Sequence, residues 1–230
     1  MRVTRLVCGN CGLALSGLGS DQLFFCSNCA HSWVIGNQGL EPVEVHCRAG
    51  ADSPLPLPFW LVNATVHVLK RTVRNDFTST SITFGSRYQR DLLTGKTRET
   101  GGTQAEKRAF LFPAFPVDGL PGIGAALSRH ISSLPEALGS EERLPDVCGV
   151  SITARDASVL ARCVAVAQEA EKPDWLAEID IILSSVKSVL VILPCVQEVE
   201  KVSIAHTGVS FFRRAVLNWE EIADYHHRKP

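Results

Sequence analysis

The sequence predicts an α+β fold in which a small antiparallel β module precedes a β-rich domain with few helices. Three observations support this prediction. Two CxxC motifs lie close together near the amino terminus, several later segments are rich in β-branched and aromatic residues, and one stretch has the apolar spacing of an amphipathic helix. At 230 residues the chain can form one sizeable core and a small appended module.

The composition is that of an ordinary globular protein. Apolar residues make up 45% of the chain and charged residues 20%, which excludes a disordered polypeptide. The formal net charge of −1 gives no long-range attraction of the whole molecule to nucleic acid or to an anionic membrane. The most apolar stretch, residues 181–193, is too short for a membrane span, and no secretory signal precedes the first cysteine. We therefore expect a cytoplasmic protein without a membrane span.

The two CxxC motifs predict a metal site. Each motif places two thiolates on one tight turn, where both can bind the same ion, and the ligands are Cys8, Cys11, Cys26 and Cys29. Between the motifs there is room for two strands and a turn at residues 17–21, and residues 31–35 read as a third strand. Four thiolates in tetrahedral array suit Zn²⁺, and such a closed site is structural because no position remains for water. The metal would supply the folding energy that so small a module lacks.

Other interpretations of the same residues stay open. Iron could occupy a site of four thiolates, and one CxxC acting alone could carry dithiol redox chemistry. His31 follows the second motif and is either an alternate ligand or a strand residue that faces solvent.

The amino-terminal segment resembles the zinc-ribbon family over about residues 5–37. In that family two turns, called knuckles, cap a small antiparallel sheet, and the matching positions are Cys8, Cys11, Cys26 and Cys29. The resemblance implies zinc as the ion, and a binding or structural role more often than a catalytic one. The second knuckle carries Ala30, where glycine is common in the family.

The chain divides into a zinc-ribbon module at residues 1–49, a proline-rich linker at 50–58 and an α+β domain at 59–230. In this domain β-branched runs predict strands at 59–69, 79–84, 108–117, 146–152, 175–183, 188–195 and 200–204. Apolar periodicity predicts a helix over 157–170, with Asp156 as its cap, and further helices are expected after Gly119 and over 218–225.

A possible internal duplication appears in the larger domain. Residues 57–68 align without gaps to residues 193–204, with a leucine–proline pair at the start of each segment. A true duplication would produce pseudo-symmetric halves at 59–135 and 145–230. Chance similarity between two short apolar strands is the alternative explanation.

Known catalytic motifs are missing, and one basic stretch is a candidate contact surface. The glycines at 119–124 do not complete a nucleotide-binding loop, and no hydrolase, metalloprotease or kinase motif occurs. Residues 70–98 carry an excess of positive charge, which either belongs to a solvated loop or binds an acidic protein or nucleic-acid phosphates. The candidate contact residues are Lys70, Arg71, Arg74, Arg87 and Arg90.

These features favour a zinc-binding protein that acts as a protein–protein interaction or assembly module, such as an accessory subunit of a larger complex. Its ribbon would present Leu18 or Trp33 as apolar anchors to a protein partner. One alternative is a nucleic-acid-binding zinc-ribbon protein that uses the basic stretch of residues 70–98. A second alternative is an enzyme whose pocket lies between the two halves.

Overall fold

The structure, a computed structural model, confirms the α+β fold with a three-stranded antiparallel sheet near the amino terminus and a larger seven-stranded sheet that carries helices. It describes residues 6–15, 17–36, 39–47, 55–74, 98–100, 104–131, 147, 149–172, 174–205 and 208–227. The predicted strand at 79–84 lies outside these residues. None of the helices in the described ranges is both long enough and apolar enough to cross a membrane.

The small sheet contains strands β1 (Leu23–Phe25), β2 (Ser32–Gly36) and β3 (Gly39–Val43), paired in that order. The prediction of strands at the positions of β1 and β2 is confirmed. The strand expected just before the 17–21 turn is reduced to an isolated bridge between Val7 and Ala14. The third strand of the sheet is instead β3, which forms a hairpin with β2.

Two long antiparallel strands form the centre of the large sheet. They are β5 (Leu55–Val73) and β8 (Leu176–Gln197). The prediction of two separate strands within 175–195 is therefore wrong, because β8 is continuous. A bulge between its two predicted parts explains the interruption in the sequence pattern, and Ser185 adopts a positive φ of 50° there.

Shorter elements surround the central pair. The remaining strands are β4 (Val45–Cys47), β6 (Arg98–Glu99), β7 (Gln104–Pro113), β9 (Lys201–Ile204) and β10 (Ser210–Phe212). The helices are α1 (Leu120–Arg129), α2 (Ala154–Ala170) and α3 (Trp219–His227), with a 3₁₀ turn at Arg213–Ala215. β4 runs parallel to β8, and β7 pairs with β5. The sheet order β10-β9-β8-β5-β6 leaves β10 at one end.

The predicted linker at 50–58 is wrong in its second half, because residues 55–58 belong to β5. Leu55 and Leu57 are buried there, and Leu57 lies opposite Leu193. Prolines are tolerated because the carbonyl group of Pro58 points away from β8 and accepts the Ala114 N–H at 3.0 Å. The missing N–H of Pro58 points to the same side, so no hydrogen bond between β5 and β8 is lost.

Two apolar clusters lie on opposite faces of the large sheet because alternate residues of a strand point to opposite sides. The first cluster joins Trp60, Val62 and Val66 of β5 to the buried face of α2, and the second joins Leu57 and Phe59 to α1 and α3. Strand β1 contributes Leu23 and Phe25 to the first cluster. The amino-terminal module therefore shares the core of the large domain, and β4, within the predicted module 1–49, belongs to the large sheet.

The helix predicted over 157–170 begins earlier than expected, at Ala154. Its cap is Thr153 and not Asp156, as the sequence suggested. The Thr153 hydroxyl accepts the Asp156 N–H at 3.2 Å, and the Asp156 carboxylate accepts the Thr153 N–H at 3.1 Å. This reciprocal pair is a capping box, which satisfies two N–H groups that the first turn leaves free. The strand predicted at 146–152 is wrong in its described part, where Ser151 and Ile152 donate to the Ala114 carbonyl.

The two aligned segments meet only at their starts, where Leu57 pairs with Leu193, and residues 58–68 lie opposite residues 181–192 of β8. Because Leu57 pairs with Leu193, a local two-fold axis between them relates the start of one segment to the start of the other. Farther on, β5 continues straight, whereas β8 ends at Gln197 and the chain turns back as β9. A second reciprocal contact joins the residues before α1 and α3, at the bridge between Val117 and Val216. The duplication stays a prediction.

Candidate metal centre

The first knuckle is a tight turn closed by two backbone hydrogen bonds. Gly12 donates its N–H to the Cys8 carbonyl at 2.9 Å, and Cys8 donates its own N–H to the Leu13 carbonyl at 2.8 Å. Gly12 has a φ of 76°, in the left-handed region that glycine adopts without steric cost. The turn holds Cys8 and Cys11 on one side, as the CxxC spacing predicts.

The second knuckle repeats this geometry at the same spacing. Ala30 donates to the Cys26 carbonyl at 2.9 Å, and Cys26 donates to the His31 carbonyl at 2.9 Å. Ala30 has a φ of 57°, so it takes the place of Gly12 with the same left-handed backbone. An L-residue with a Cβ atom pays about 1 kcal/mol for this conformation.

This pair of knuckles yields a prediction about backbone strain. We expect Ala30→Gly to raise the free energy of unfolding of the metal-loaded protein by about 0.5–1 kcal/mol, because glycine relieves the left-handed strain. Gly12→Ala should lower it by about 1 kcal/mol. A Cβ on Gly12 would meet no atom within 4 Å, so only the backbone conformation is tested there. Urea unfolding measures both variants, and a loss of stability in Ala30→Gly would contradict the prediction.

The four predicted ligand cysteines lie together. The Sγ atoms of Cys8 and Cys29 are 3.5 Å apart, those of Cys11 and Cys26 are 3.4 Å apart, and all four lie within 4.8 Å of one another. Four sulfurs around one Zn²⁺ at about 2.3 Å would be separated by about 3.8 Å. All seven described cysteines are free thiols. The cluster can therefore hold one metal ion in tetrahedral coordination.

Burial and hydrogen bonding act differently on the thiols of this cluster. The side-chain hydrogen bond from Asn10 and the backbone N–H of His31 lower the pKa of Cys29 to about 5. Burial raises the pKa of Cys26 to about 11. Donors directed at a sulfur stabilise the thiolate, which is the form that binds metal. A bound cation would do the same for the buried Cys26.

His31 is exposed and does not belong to the four-sulfur cluster. Its Nδ1 lies 2.9 Å from the Cys29 carbonyl oxygen and 3.5 Å from the Asn10 side-chain nitrogen. The structure therefore places His31 beside the ligands, facing solvent, which agrees with the second of the two interpretations of its sequence position.

The two predicted anchor residues are partly buried. Leu18 contacts the second apolar cluster, and Trp33 packs against the cysteine cluster, where a Cβ on Gly9 would lie 2.6 Å from its ring. Each is therefore less exposed than an anchor residue was predicted to be. Among the described residues of the module, the large apolar side chains that are exposed are Leu13 and Ile35, with 52% and 39% of their surface accessible.

Asp21 fixes the turn between the knuckles against the large domain. Its side chain is only 3% exposed, and its Oδ2 accepts the Leu18 N–H at 2.7 Å. The next residue, Gln22, donates its N–H to the Val150 carbonyl at 2.6 Å. Burial raises the pKa of Asp21 to about 6, and the nearby charge of Glu221 acts in the same direction.

The raised pKa of Asp21 predicts a pH-dependent stability. The native state holds the proton more tightly than the unfolded state, so this contribution is present at low pH and is lost as pH rises through about 6. We expect Asp21→Asn to raise the free energy of unfolding by about 1–3 kcal/mol at pH 7.5. At pH 4.5 the gain should fall to about a third of its value at pH 7.5, because this pH lies between the unfolded pKa of 3.8 and the folded pKa of about 6. Urea unfolding of both proteins at both pH values checks this, and an equal gain at the two values would contradict it.

Two residues of the site were missed by sequence reasoning. Asn10 lies between the first two ligands and donates toward Cys29, and Asp21 anchors the turn. Asp21 is the only acidic residue in the segment 13–25. An acidic side chain within an otherwise apolar and glycine-rich segment could have indicated that Asp21 has a structural role in the turn.

The basic residues predicted as a contact surface do not form one in the described part of the chain. Arg71 is 6% exposed, and its guanidinium lies 2.6 and 2.5 Å from the two carboxylate oxygens of Asp174. Lys70 pairs with Glu178 at 2.7 Å, whereas Arg74 is exposed. Arg87 and Arg90 lie outside the described residues. A phosphate contact through Arg71 is therefore wrong, because the side chain is buried and already paired.

Comparisons with protein families, with curated proteins and with solved structures find no match to this chain.

Proposed function

We propose that this protein is a zinc-binding protein–protein interaction or assembly module, such as an accessory subunit of a larger complex. The observation that carries the proposal is the arrangement of four sulfur atoms within 4.8 Å of one another. Such a set fills all coordination positions of a tetrahedral ion. The metal then has a structural role, and a partner protein would bind to the protein surface.

The donor set supports zinc as the resident ion. Cys8, Cys11, Cys26 and Cys29 would hold it, and four thiolates favour zinc or iron over harder cations. Metal analysis of purified protein by plasma mass spectrometry should find one zinc per chain. One iron per chain, or no stoichiometric metal, would contradict this part of the proposal. Such a site requires thiols that stay reduced, so we propose a cytoplasmic location.

A rigid surface supports the interaction role. The amino-terminal module is attached to the large domain through the core residues Leu23 and Phe25 and through the hydrogen bond between Gln22 and Val150. Attached in this way, the module holds its exposed Leu13 and Ile35 in fixed positions. Preorganised apolar side chains lose little entropy when a partner covers them.

Nucleic-acid binding and catalysis, the two alternative functions, have less support. Of the residues predicted to contact nucleic acid, Arg71 is buried and Lys70 is paired with the carboxylate of Glu178. A cavity among the described residues lies at one end of the large sheet beside α3, and not at the local two-fold between the proposed halves. No described feature places a nucleophile, a general base and a ligand cavity together.

A native pull-down with matched surface variants tests the proposed role. Tagged full-length protein should retain a partner after nuclease treatment, and Leu13→Glu with Ile35→Glu should release it. Val159→Glu is the matched control, because Val159 is 61% exposed on α2, outside the amino-terminal module. A partner that is lost with nuclease, or lost equally in both variants, would contradict an interaction through this module.

A further inference from the structure

One half of the large sheet presents an exposed face. On the side of the sheet away from α2, the second apolar cluster packs α1 and α3 against β5 as far as Leu61. The next residues of β5 that point to this side are Asn63, Thr65 and His67, and each is exposed or half-buried. We call this part of the sheet, formed by residues 63–72 of β5 and the strands beside them, the bare face.

The side chains on the bare face are identified by their neighbours, because alternate residues of a strand point to opposite sides. Ser188 of β8 and Arg108 of β7 both contact α2, so the adjacent Lys187 and Lys107 lie on the bare face. Ile182 of β8 follows and precedes residues that pack with α2 in the first cluster, so it lies on the bare face as well. Its side chain is 44% exposed.

One end of the bare face is basic. Lys107 lies opposite Thr65 on one side of β5, and Lys187 lies opposite Asn63 on the other side. Both lysines are exposed, and neither belongs to an ion pair within the described part of the chain. Their ammonium groups are therefore available to an acidic surface that faces the sheet.

The other end of the bare face is acidic. Glu178 and Asp180 of β8 and Glu99 of β6 lie opposite the last residues of β5. Lys70 pairs with Glu178 at 2.7 Å, and the hydrogen bond and charge of Glu178, followed by the charges of Glu99 and Asp180, raise the pKa of Lys70. Arg162 of α2 lies 3.9 Å from Asp180, at the limit of an ion pair. Three carboxylates around one lysine leave an excess of negative charge.

The basic and acidic ends are arranged symmetrically about the middle of the bare face. Lys187 lies opposite residue 63 and Glu178 opposite residue 72 of β5. At about 3.3 Å per residue, the two ends are about 30 Å apart. Ile182 lies midway between them. A two-fold axis that crosses the strands at Ile182 places the basic end of one copy over the acidic end of another, and such self-complementarity is what a symmetric dimer interface requires.

We infer that two copies of this chain associate face to face through the bare face, about a two-fold axis that crosses the strands at Ile182. Lys187 of each copy then lies over Glu178 of the other, and Lys107 lies over Glu99. Three strands spaced about 4.8 Å apart and about 30 Å long cover about 400 Å² per copy, half of the roughly 800 Å² that a standard interface buries on each partner. The dimer is therefore weak and dissociates on dilution.

Sedimentation equilibrium of the purified full-length protein tests the inference. The average mass should rise from that of one chain toward that of two chains as the concentration increases from the low to the high micromolar range. High salt should reduce this rise, because the facing charges are exposed in the single chain. The mass of one chain at every concentration would overturn the inference. A mass beyond two chains would also overturn it, because a two-fold contact closes at the dimer.

Charge reversal at one contact locates the interface. Lys187→Glu and Glu178→Lys should each weaken dimerisation about tenfold, because both symmetry-related contacts change from attraction to repulsion. An equimolar mixture of the two variants should dimerise like wild type, since each then offers the other the opposite charge at both contacts. Lys201→Glu is the matched control, because Lys201 is an exposed lysine of β9, outside the bare face. Unchanged dimerisation of Lys187→Glu, or a mixture no better than its components, would show that the bare face is not the interface.

The inference goes beyond the proposed function, because it uses no residue of the amino-terminal module, and the two can fail separately. Leu13→Glu with Ile35→Glu should leave the self-association of purified protein unchanged. If this variant stays monomeric, the copies join through the amino-terminal module and the inference fails. If the dimer forms as expected and the pull-down retains no partner, the inference stands and the proposed interaction role fails. A retained partner with a protein that is monomeric at every concentration gives the reverse result.

Discussion

Removal of the metal is expected to unfold the amino-terminal module and to destabilise the large domain with it. A closed four-thiolate site supplies folding energy directly, with apparent metal-binding energies of about 10–16 kcal/mol in small zinc modules. Here the module also contributes the buried Leu23 and Phe25 to the core of the large domain. Losing such side chains from a core costs about 2–5 kcal/mol each. Chelation should therefore lower the midpoint of thermal unfolding for the whole protein.

Substitution of one ligand should have the same effect as chelation. Cys26→Ser removes a buried sulfur, so we expect loss of the stoichiometric metal and a thermal midpoint close to that of the chelated protein. Cys163→Ser is the matched control, because Cys163 is an exposed thiol on α2, and it should change neither property. Metal analysis and circular dichroism measure the two effects. Wild-type metal content and stability in Cys26→Ser would contradict the four-ligand site.

Local patterns were sufficient to predict the cluster of four cysteines and most of the described elements. The CxxC spacing is itself the geometry of a knuckle, so Cys8 and Cys11 could be placed together without any tertiary information. The apolar periodicity of α2 reports directly which face is buried. In such cases the residues that determine the structure are within a few positions of one another.

Other features depend on residues that are distant in sequence. The proline-rich segment joined β5 because Leu57 pairs with Leu193, and no local signal indicates that pairing. The partial burial of Trp33 could not be predicted, since its ring packs against Gly9 and the cysteines.

The environment of Arg71, a charged residue, also could not be predicted from its neighbours in the sequence. In sequence it belongs to a basic stretch, but its carboxylate partners Glu169 and Asp174 lie about one hundred positions away. Its side chain joins β5 to the end of α2, with Nε 3.2 Å from Glu169 and both terminal nitrogens on Asp174. Arg108 of β7 contacts the same Glu169 at 3.0 Å. A buried network of this kind attaches the helix to the sheet.

The pKa values of the acids agree with paired charges. Hydrogen bonds from Arg71 lower the pKa of Asp174. For Glu169, burial acts to raise the pKa, but Lys172 and Arg108 outweigh it, and the result is a lowered pKa. Each acid therefore adds stability that is present above its unfolded pKa and is lost as pH falls through its folded pKa.

Glu169→Gln is expected to destabilise the protein by about 1–3 kcal/mol, because Arg71 and Arg108 lose their shared carboxylate but keep Asp174 and Glu106 as partners. The matched control is Glu171→Gln, two residues away, which removes the exposed partner of Arg129. Pairs of that kind contribute about 0–1 kcal/mol. Urea unfolding at pH 7 measures both, and higher salt should reduce only the small effect of Glu171→Gln. Equal effects of the two variants would show that the Glu169 network does not attach α2 to the sheet.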